Sequence, residues 1–446
     1  MINTELLSPA GSLQNMRYAF AYGADAVYAG QPRYSLRVRN NEFNKMDVMA
    51  AAIEEAHSIG KQFYLASNIS PHNDKIKTYM RDLEPVIEMA PDALIMSDPG
   101  LIMMVKDRWP DQIVLLSVQA NAVNWATVKF WHRQGISRAI LSRELSLNEI
   151  EEISQQCPEM ELEVFVHGAL CIAYSGRCLL SGYMTHRDSN QGACTNSCRW
   201  QYNAHEATEN EVGDLIPVNA AETKVENEAD IENEVAPMLL QERGRPGELM
   251  PAYEDEHGTY IMNSKDLRAV QHVDRLVKMG IHSLKIEGRT KSHYYVARTA
   301  QVYRRAIDNA LTGKDFEMTM MDELESLANR GYTEGFYRRH IPSEYQSYET
   351  GNSHALKQQY VAEMTSKDDA SRTLTLDVKN KFKIGDQLEL MTPAGNFHFV
   401  LDNLTSIKGE ALEVAPGSGW VVQIKLPDSI DLGKIDQYAL LVRDLT

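Results

Sequence analysis

The sequence predicts an α/β fold: a (β/α)8 TIM-like barrel carrying a large insertion after strand seven, followed by a small C-terminal all-β barrel domain. Three observations carry that prediction. The chain has 446 residues, 43% hydrophobic and 24% charged, ordinary values for a globular protein with room for two or three domains. Short, near-continuous apolar runs alternate with amphipathic stretches through the first 170 residues. After Arg338 that alternation stops, and short strand-like runs separated by Gly, Pro, Asn and Asp take over.

The elements follow in order. Strand-like runs are Glu5–Ala10, Ala26–Gly30, Gln62–Ser67, Ala93–Ser97, Ile113–Val118, Arg138–Leu141 and Leu162–Val166. Between them, Leu13–Tyr22, Met46–Ser58, Lys75–Met89, Leu101–Arg108, Trp125–Gln134 and Leu147–Gln155 have the apolar spacing of helices. Apolar strands separated by helices indicate a parallel sheet covered on both faces. An eighth strand, Ser283–Glu287, precedes a long helix at Ser292–Leu311. Eight strands favour a closed barrel over a doubly wound open sheet, whose local pattern is the same.

The first domain is thus expected over 1–341, with an insertion at about 181–279. An acidic segment, 205–248, is expected to be a mobile loop within it. Tyr253–Met262 reads as a hairpin and Lys265–Met279 as a helix leading into strand eight. The second domain, 354–446, contains strand candidates Gln359–Met364, Thr373–Lys379, Gln387–Met391, Phe397–Leu401, Ala411–Val414, Val421–Lys425 and Ala439–Val442.

Charge and targeting narrow the function classes. The formal net charge is −17, but residues 205–235 hold ten acids and one lysine, leaving −8 for the remainder. No chain-wide basic footprint of a non-specific nucleic-acid binder exists, although local basic patches do. No run approaches the ~20 apolar residues that span a bilayer. The N-terminus lacks a basic region and an apolar core of a secretory leader, so a cytoplasmic protein with no membrane attachment is expected.

Five cysteines are too few for a secreted disulfide scaffold. Cys157 stands alone and is not expected to be a ligand. Cys171, Cys178, Cys194 and Cys198 fall together just after strand seven, at the end where a barrel presents reactive groups. Four thiolates suit an iron–sulfur cluster or a tetrahedral zinc site. Only Cys194–Cys198 has the short spacing of a zinc knuckle, so iron–sulfur is the better match. Zinc and inert buried thiols stay open.

The run EVFVHGALCIAYSGRCLLS, Glu163 to Ser181, resembles the signature of the peptidase U32 family. The resemblance extends over ELLSPAGSLQNMRYAFAYGADAVYAGQPRYSLRVRNNEF, SVQANAVNWATVKFW, QGACTNSCRW, EDEHGTYIMNSKDLRA, HSLKIEGRTKSHYY and RGYTEGF, and fades in the acidic segment 205–248. It implies tRNA hydroxylation, the wobble uridine becoming 5-hydroxyuridine, with prephenate required. It also implies an iron–sulfur cluster of the 4Fe-4S type on the four clustered cysteines. The alternative is the family's label, a collagenase-like peptidase with zinc or structural cysteines. That label gains no support from motifs, since neither Gly-x-Ser-x-Gly nor His-Glu-x-x-His occurs. A third reading is a scaffold that binds tRNA while another protein oxidises it.

Under that resemblance the polar strand ends become candidate site residues: Asn68, Asp98, Gln119, Asn121, Arg143, Glu144, His167, Lys285, Glu287 and Arg289, with Asn40 and Asn41 after strand two. His167 and Glu287 are the candidate catalytic residues. Arg37, Arg39, Asn121, Arg143, Lys285 and Arg289 are candidate substrate binders, arginine forks matching the two carboxylates of prephenate. His72 reads as an exposed loop histidine. For the tRNA anticodon loop, Arg177, Arg187, Arg199 and Trp200 flank the cysteines, and Arg338, Arg339 and His340 lead into the β domain. Redox chemistry of this kind also suggests an electron-transfer protein as a partner.

Overall fold

The structure is a computed structural model. It describes residues 3–36, 41–170, 266–329, 331–338 and 357–445, together with the backbone of short strands between 202 and 259. Strands β1 (Glu5–Pro9), β2 (Ala26–Gly30), β3 (Gln62–Ser67), β4 (Ala93–Met96), β5 (Val114–Leu116), β6 (Arg138–Ile140), β7 (Glu161–Ala169) and β8 (Ser283–Ile286) run parallel in chain order. β8 pairs in parallel with both β1 and β7, so the sheet closes into a barrel. Closure places every strand's C-terminal end at one mouth, where the loops into the helices converge.

Helices α1 (Leu13–Ala21), α2 (Met46–Ser58), α3 (Asn73–Glu88), α4 (Pro99–Arg108), α5 (Trp125–Arg133), α6 (Leu147–Gln156), α7 (Val273–Lys278) and α8 (His293–Thr312) cover the outside. Their starts at the mouth are fixed by local sequence. Asp98 caps α4, whose first residue is Pro99, and Ser146 and Glu149 form a reciprocal capping box on α6. Ser292 caps α8, and Gly313 ends it in the left-handed region.

The segment after β7 departs from expectation. β7 extends beyond the barrel, and its last residues, His167–Ala169, pair antiparallel with a short strand, Asp266–Arg268. That strand also pairs in parallel with Tyr332–Thr333. Only Val273–Lys278 of the expected helix 265–279 is α-helical, because β7's overrun takes the preceding residues into the sheet. Within the insertion, Tyr202–Glu209, Leu215–Pro217, Met238–Glu242 and Leu249–Ala252 form a four-stranded antiparallel sheet, which the acidic composition concealed. Glu254–Asp255 and Gly258–Thr259 form the expected hairpin pairing.

In the C-terminal region seven antiparallel strands share one sheet, in the order Gly395–Val400, Gln387–Thr392, Leu440–Asp444, Gln358–Asp368, Thr373–Val378, Val421–Lys425 and Leu404–Ser406. Its own core includes Val361, Leu376, Phe382, Leu390 and Ile424. It joins the barrel through α8: Arg298, fully buried, grips Glu389 with Nη1 and Nη2 at 2.9 and 2.7 Å. Tyr22 donates to the carbonyl of Met391 at 3.0 Å and to that of Tyr438 at 2.9 Å.

Candidate active site at the barrel mouth

Alternation along the strands turns Glu5, Arg138, Glu163, Ser283 and Lys285 into the barrel, where they form an ionic floor. Arg138 Nη1 lies 2.7 Å from Glu5 Oε1 and 3.3 Å from Glu163 Oε2, and its Nε lies 2.8 Å from Glu161. Ser283 and Tyr64 also donate to Glu5. Lys285 Nζ lies 2.7 Å from Glu163 Oε1, with both groups buried. Burial pulls the Lys285 ammonium below the ordinary lysine range, and Glu163 opposes the shift.

Above the floor, Tyr28 is the pivot of a second cluster. Its ring lies 4.2 Å from Lys285 Nζ and 5.5 Å from the Arg289 guanidinium carbon. Its hydroxyl donates to Glu287 Oε2 at 2.9 Å. Burial, then the Glu287 carboxylate, push the phenol well above its ordinary value, so Tyr28 stays a neutral donor. Arg289 Nη1 donates to Ser35 Oγ at 2.8 Å. A Cβ on Gly30 would lie 2.7 Å from that Oγ and 2.9 Å from Nη1, so the end of β2 needs glycine for Arg289 to seat. Opposite, the Arg143 guanidinium stacks 3.7 Å from the ring of Phe165, whose other neighbour is Lys285.

The rest of the rim is ordered by amides and hydroxyls. Asn68 donates to Ser117 Oγ and Gln119 Oε1 at 3.1 and 3.0 Å. Asn121 sits in the left-handed region at φ 51°, a conformation asparagine tolerates. Its amide nitrogen donates to the carbonyl of Gln119, while its Oδ1 is buried with no hydrogen-bond partner among the described residues. Asp98 is occupied in capping α4, and Glu144 accepts from Ser142. Asn41 donates to the carbonyl of Gly30 at 2.7 Å. Beside Arg289, a cavity of about 620 Å³ opens between the loops after β1, β2 and β8, lined by Ser12, Asn41, Glu42, Lys45 and Lys291 among others.

Glu287, Arg289, Lys285, Arg143 and Asn121 therefore belong to the barrel's interior or its mouth, with Lys285 lowest and tied to the floor. His167 requires a correction. A register shift between Lys285 and Ile286 pairs Ile286 with His167, so the extra residue Val166 turns the histidine out of the barrel. Its ring lies 5.4 to 5.7 Å from those of Tyr332, Tyr303 and Tyr295, and its Nδ1 is 3.3 Å from the Tyr303 hydroxyl. Burial, then Lys291 and Arg268, hold it down at a pKa of about 3. It is a neutral group in the wall, without the access a catalytic acid or base needs.

His72 is exposed. Arg338 is exposed too, and pairs with Glu334 at 2.8 Å. Cys157 is buried, and its thiol donates to the carbonyl of Trp125 at 3.4 Å, as suits a non-ligand. Arg37, Arg39, Asn40, the four clustered cysteines, Arg177, Arg187, Arg199, Trp200, Arg339 and His340 lie outside the described residues. The described chain stops at Leu170, the residue before Cys171 in sequence, at the mouth end of β7. Tyr28, Ser35 and Phe165 were missed from sequence because they lie within or just after apolar runs. Strand parity was the signal that would have turned Tyr28 and Phe165 inward.

Comparison with known proteins covers both halves of the chain. The model of peptidase family U32 matches residues 11–347, and that of the peptidase family U32 C-terminal domain matches 357–441. The chain is 60% identical to tRNA hydroxylation protein P of Escherichia coli (strain K12), over 100% of this chain and 98% of the relative. It is 60% identical to the protein of that name from Haemophilus influenzae (strain ATCC 51907 / DSM 11121 / KW20 / Rd), over 99% and 96%. With tRNA hydroxylation protein P1 of Bacillus subtilis (strain 168) the identity is 34%, over 96% and 92%. A barrel and a β domain that match the two models of peptidase family U32 over most of the sequence make this chain a member of that family.

Proposed function

We propose that this protein hydroxylates tRNA, converting the wobble uridine to 5-hydroxyuridine in a prephenate-dependent reaction. The observation that carries this reading is the 60% identity to tRNA hydroxylation protein P along essentially both full lengths. Placing one oxygen on a pyrimidine ring carbon is a two-electron oxidation that ordinary side chains do not supply. Cys171, Cys178, Cys194 and Cys198 are the proposed ligands of an iron–sulfur cluster. Four thiols are the donor set such a cluster takes, and when bound it would relay the electrons withdrawn from the base to an external oxidant, which must also provide the oxygen atom.

The residues of the mouth have matching roles in this reading. Arg289 and Arg143 offer guanidinium forks to the carboxylates of prephenate, with Arg37 and Arg39 as further candidates. Glu287, held by Tyr28, is a proton acceptor at the rim. Asn121 offers the buried Oδ1 as an acceptor for a ring or amide N–H. A wobble base already lies in a loop, so turning it into the mouth costs less than extracting it from a duplex. The reaction is placed in the cytoplasm, with an electron-transfer protein as partner.

The test is a deletion strain complemented with wild type or with Cys171→Ala, its tRNA nucleosides quantified by mass spectrometry. Protein purified without oxygen is assayed in parallel for iron and sulfide. The reading expects restored 5-hydroxyuridine and bound iron for wild type only. Colourless, iron-free wild type would remove the cluster, and absence of 5-hydroxyuridine with wild type would remove the reaction.

A further inference from the structure

The stretch from Gln112 to Arg143 contains no aspartate or glutamate, in a chain of net charge −17. Four cations lie within it: Lys129, Arg133, Arg138 and Arg143. Arg138 belongs to the ionic floor and Arg143 to the mouth, which leaves Lys129 and Arg133 on the outside, on α5. Outer arginines elsewhere on the barrel are neutralised: Arg17 by Glu55, Arg108 by Glu84 and Arg275 by Glu151. Among the described residues, neither Lys129 nor Arg133 has an ion-pair partner.

An aromatic side chain shares their face. Trp125 is the first residue of α5, where Asn124 caps the helix, and it is 41% exposed. Lys129 Nζ lies 5.1 Å from its ring centroid. Trp125, Lys129 and Arg133 stand at successive four-residue steps, hence on one stripe of the helix about 12 Å long. Phe130, 54% exposed, flanks it, and Val123, 37% exposed, sits at its upper end. The exposed ring offers a broad apolar face with a polar N–H edge, the character of a side chain that meets a partner.

We infer that this stripe is an RNA-binding edge on the outside of the barrel, with Trp125 stacking an unpaired base at the start of α5 and Lys129 and Arg133 holding the phosphates that run along the helix. A π-face with cations below it is the chemistry that grips single-stranded nucleic acid without reading sequence. Charge complementarity selects the occupant: the stripe carries two cations and no acid in a chain whose net charge is −17, which favours a polyanion there over an acidic protein surface. The inference rests on the tRNA reading above and adds the surface by which the substrate is held.

The test is equilibrium binding of an unmodified tRNA transcript with a wobble uridine to the full-length protein across a salt series. Wild type, Trp125→Ala, Trp125→Phe and the double variant Lys129→Glu/Arg133→Glu are compared. Trp125→Ala is expected to bind about 10-fold more weakly, while Trp125→Phe stays near wild type. The double variant is expected to lose affinity and to flatten the plot of log affinity against log salt by about 1.4, two phosphate contacts on a single strand. All three side chains point outward, and thermal melts matching wild type would show that folding is intact. If wild type binds tRNA and the variants match it in affinity and slope, the stripe is overturned while the tRNA reading stands. Failure of wild type to bind tRNA would overturn both. Should the variants leave RNA affinity unchanged but abolish a dimer seen by sedimentation, the stripe is a contact between copies instead.

Discussion

Lys285 and Arg289 stand four residues apart on β8 and its loop, and both set a cation near the ring of Tyr28. Their surroundings differ in kind. Lys285 is sealed in the floor, paired with a carboxylate that no solvent reaches. Arg289 stands at the rim, seated on the hydroxyl of Ser35, beside a cavity of about 620 Å³. The same arrangement recurs across the barrel, where Arg138 serves the floor and Arg143 the mouth. A buried ion pair deep in the barrel is a device of folding, whereas a guanidinium beside an open cavity is where a carboxylate-bearing ligand could be met.

That contrast breaks first at Glu163. Glu163→Ala leaves Lys285 and part of Arg138 buried without their carboxylate, and is expected to cost ~3–5 kcal/mol, read from denaturant midpoints. The paired replacement Glu163→Leu with Lys285→Met should recover most of that loss and keep tRNA modification. A stable but inactive paired variant would move Lys285 from the floor to the site. The seam with the C-terminal sheet is a second sealed pair. Glu389→Gln, which weakens the grip of Arg298, is expected to cost ~3 kcal/mol with no effect on the mouth's chemistry.

Gly30→Ala sharpens the comparison from the other side. The added methyl meets Ser35 Oγ and Arg289 Nη1, so a cost of ~1–3 kcal/mol is expected, together with a larger fall in activity than in melting temperature. His167 contributes through pH. Its pKa is about 3 in the fold against an ordinary value of 6.5. Between those values the unfolded chain takes up a proton that the folded chain refuses, so stability falls as pH drops from 6.5 toward 3. The slope from this one group is at most ~1.4 kcal/mol per pH unit. His167→Gln should flatten the acid limb of the melting temperature against pH and leave the neutral limb unmoved.

The barrel was legible because each strand is a compact apolar run bounded by turn residues, and Ala26–Gly30 and Gln62–Ser67 match the runs read from sequence end to end. Pairing partners outside that rhythm were not legible. Asp266–Arg268 looks helical in isolation and becomes a strand only because β7 overruns the barrel and offers it a ladder. His167 shows the limit most clearly, since residue type and strand position both pointed to the mouth. A single bulge at Val166 reversed its side, and no feature of EVFVHGAL announces a bulge. Glu287 and Arg289 escaped that reversal because they follow the last paired residue of β8. Trp125 and Arg133 were not legible for another reason: an aromatic that begins an amphipathic helix has the same apolar spacing as a core residue.

If the proposed hydroxylation runs at the barrel mouth, Arg289 is indispensable to it and the ionic floor is not. Quantifying 5-hydroxyuridine in tRNA from a deletion strain complemented with Arg289→Ala, beside wild type and the paired floor variant, tests it most directly. A folded Arg289→Ala protein is expected to restore almost none of the modified nucleoside, and the floor variant most of it. Full restoration by Arg289→Ala would contradict it.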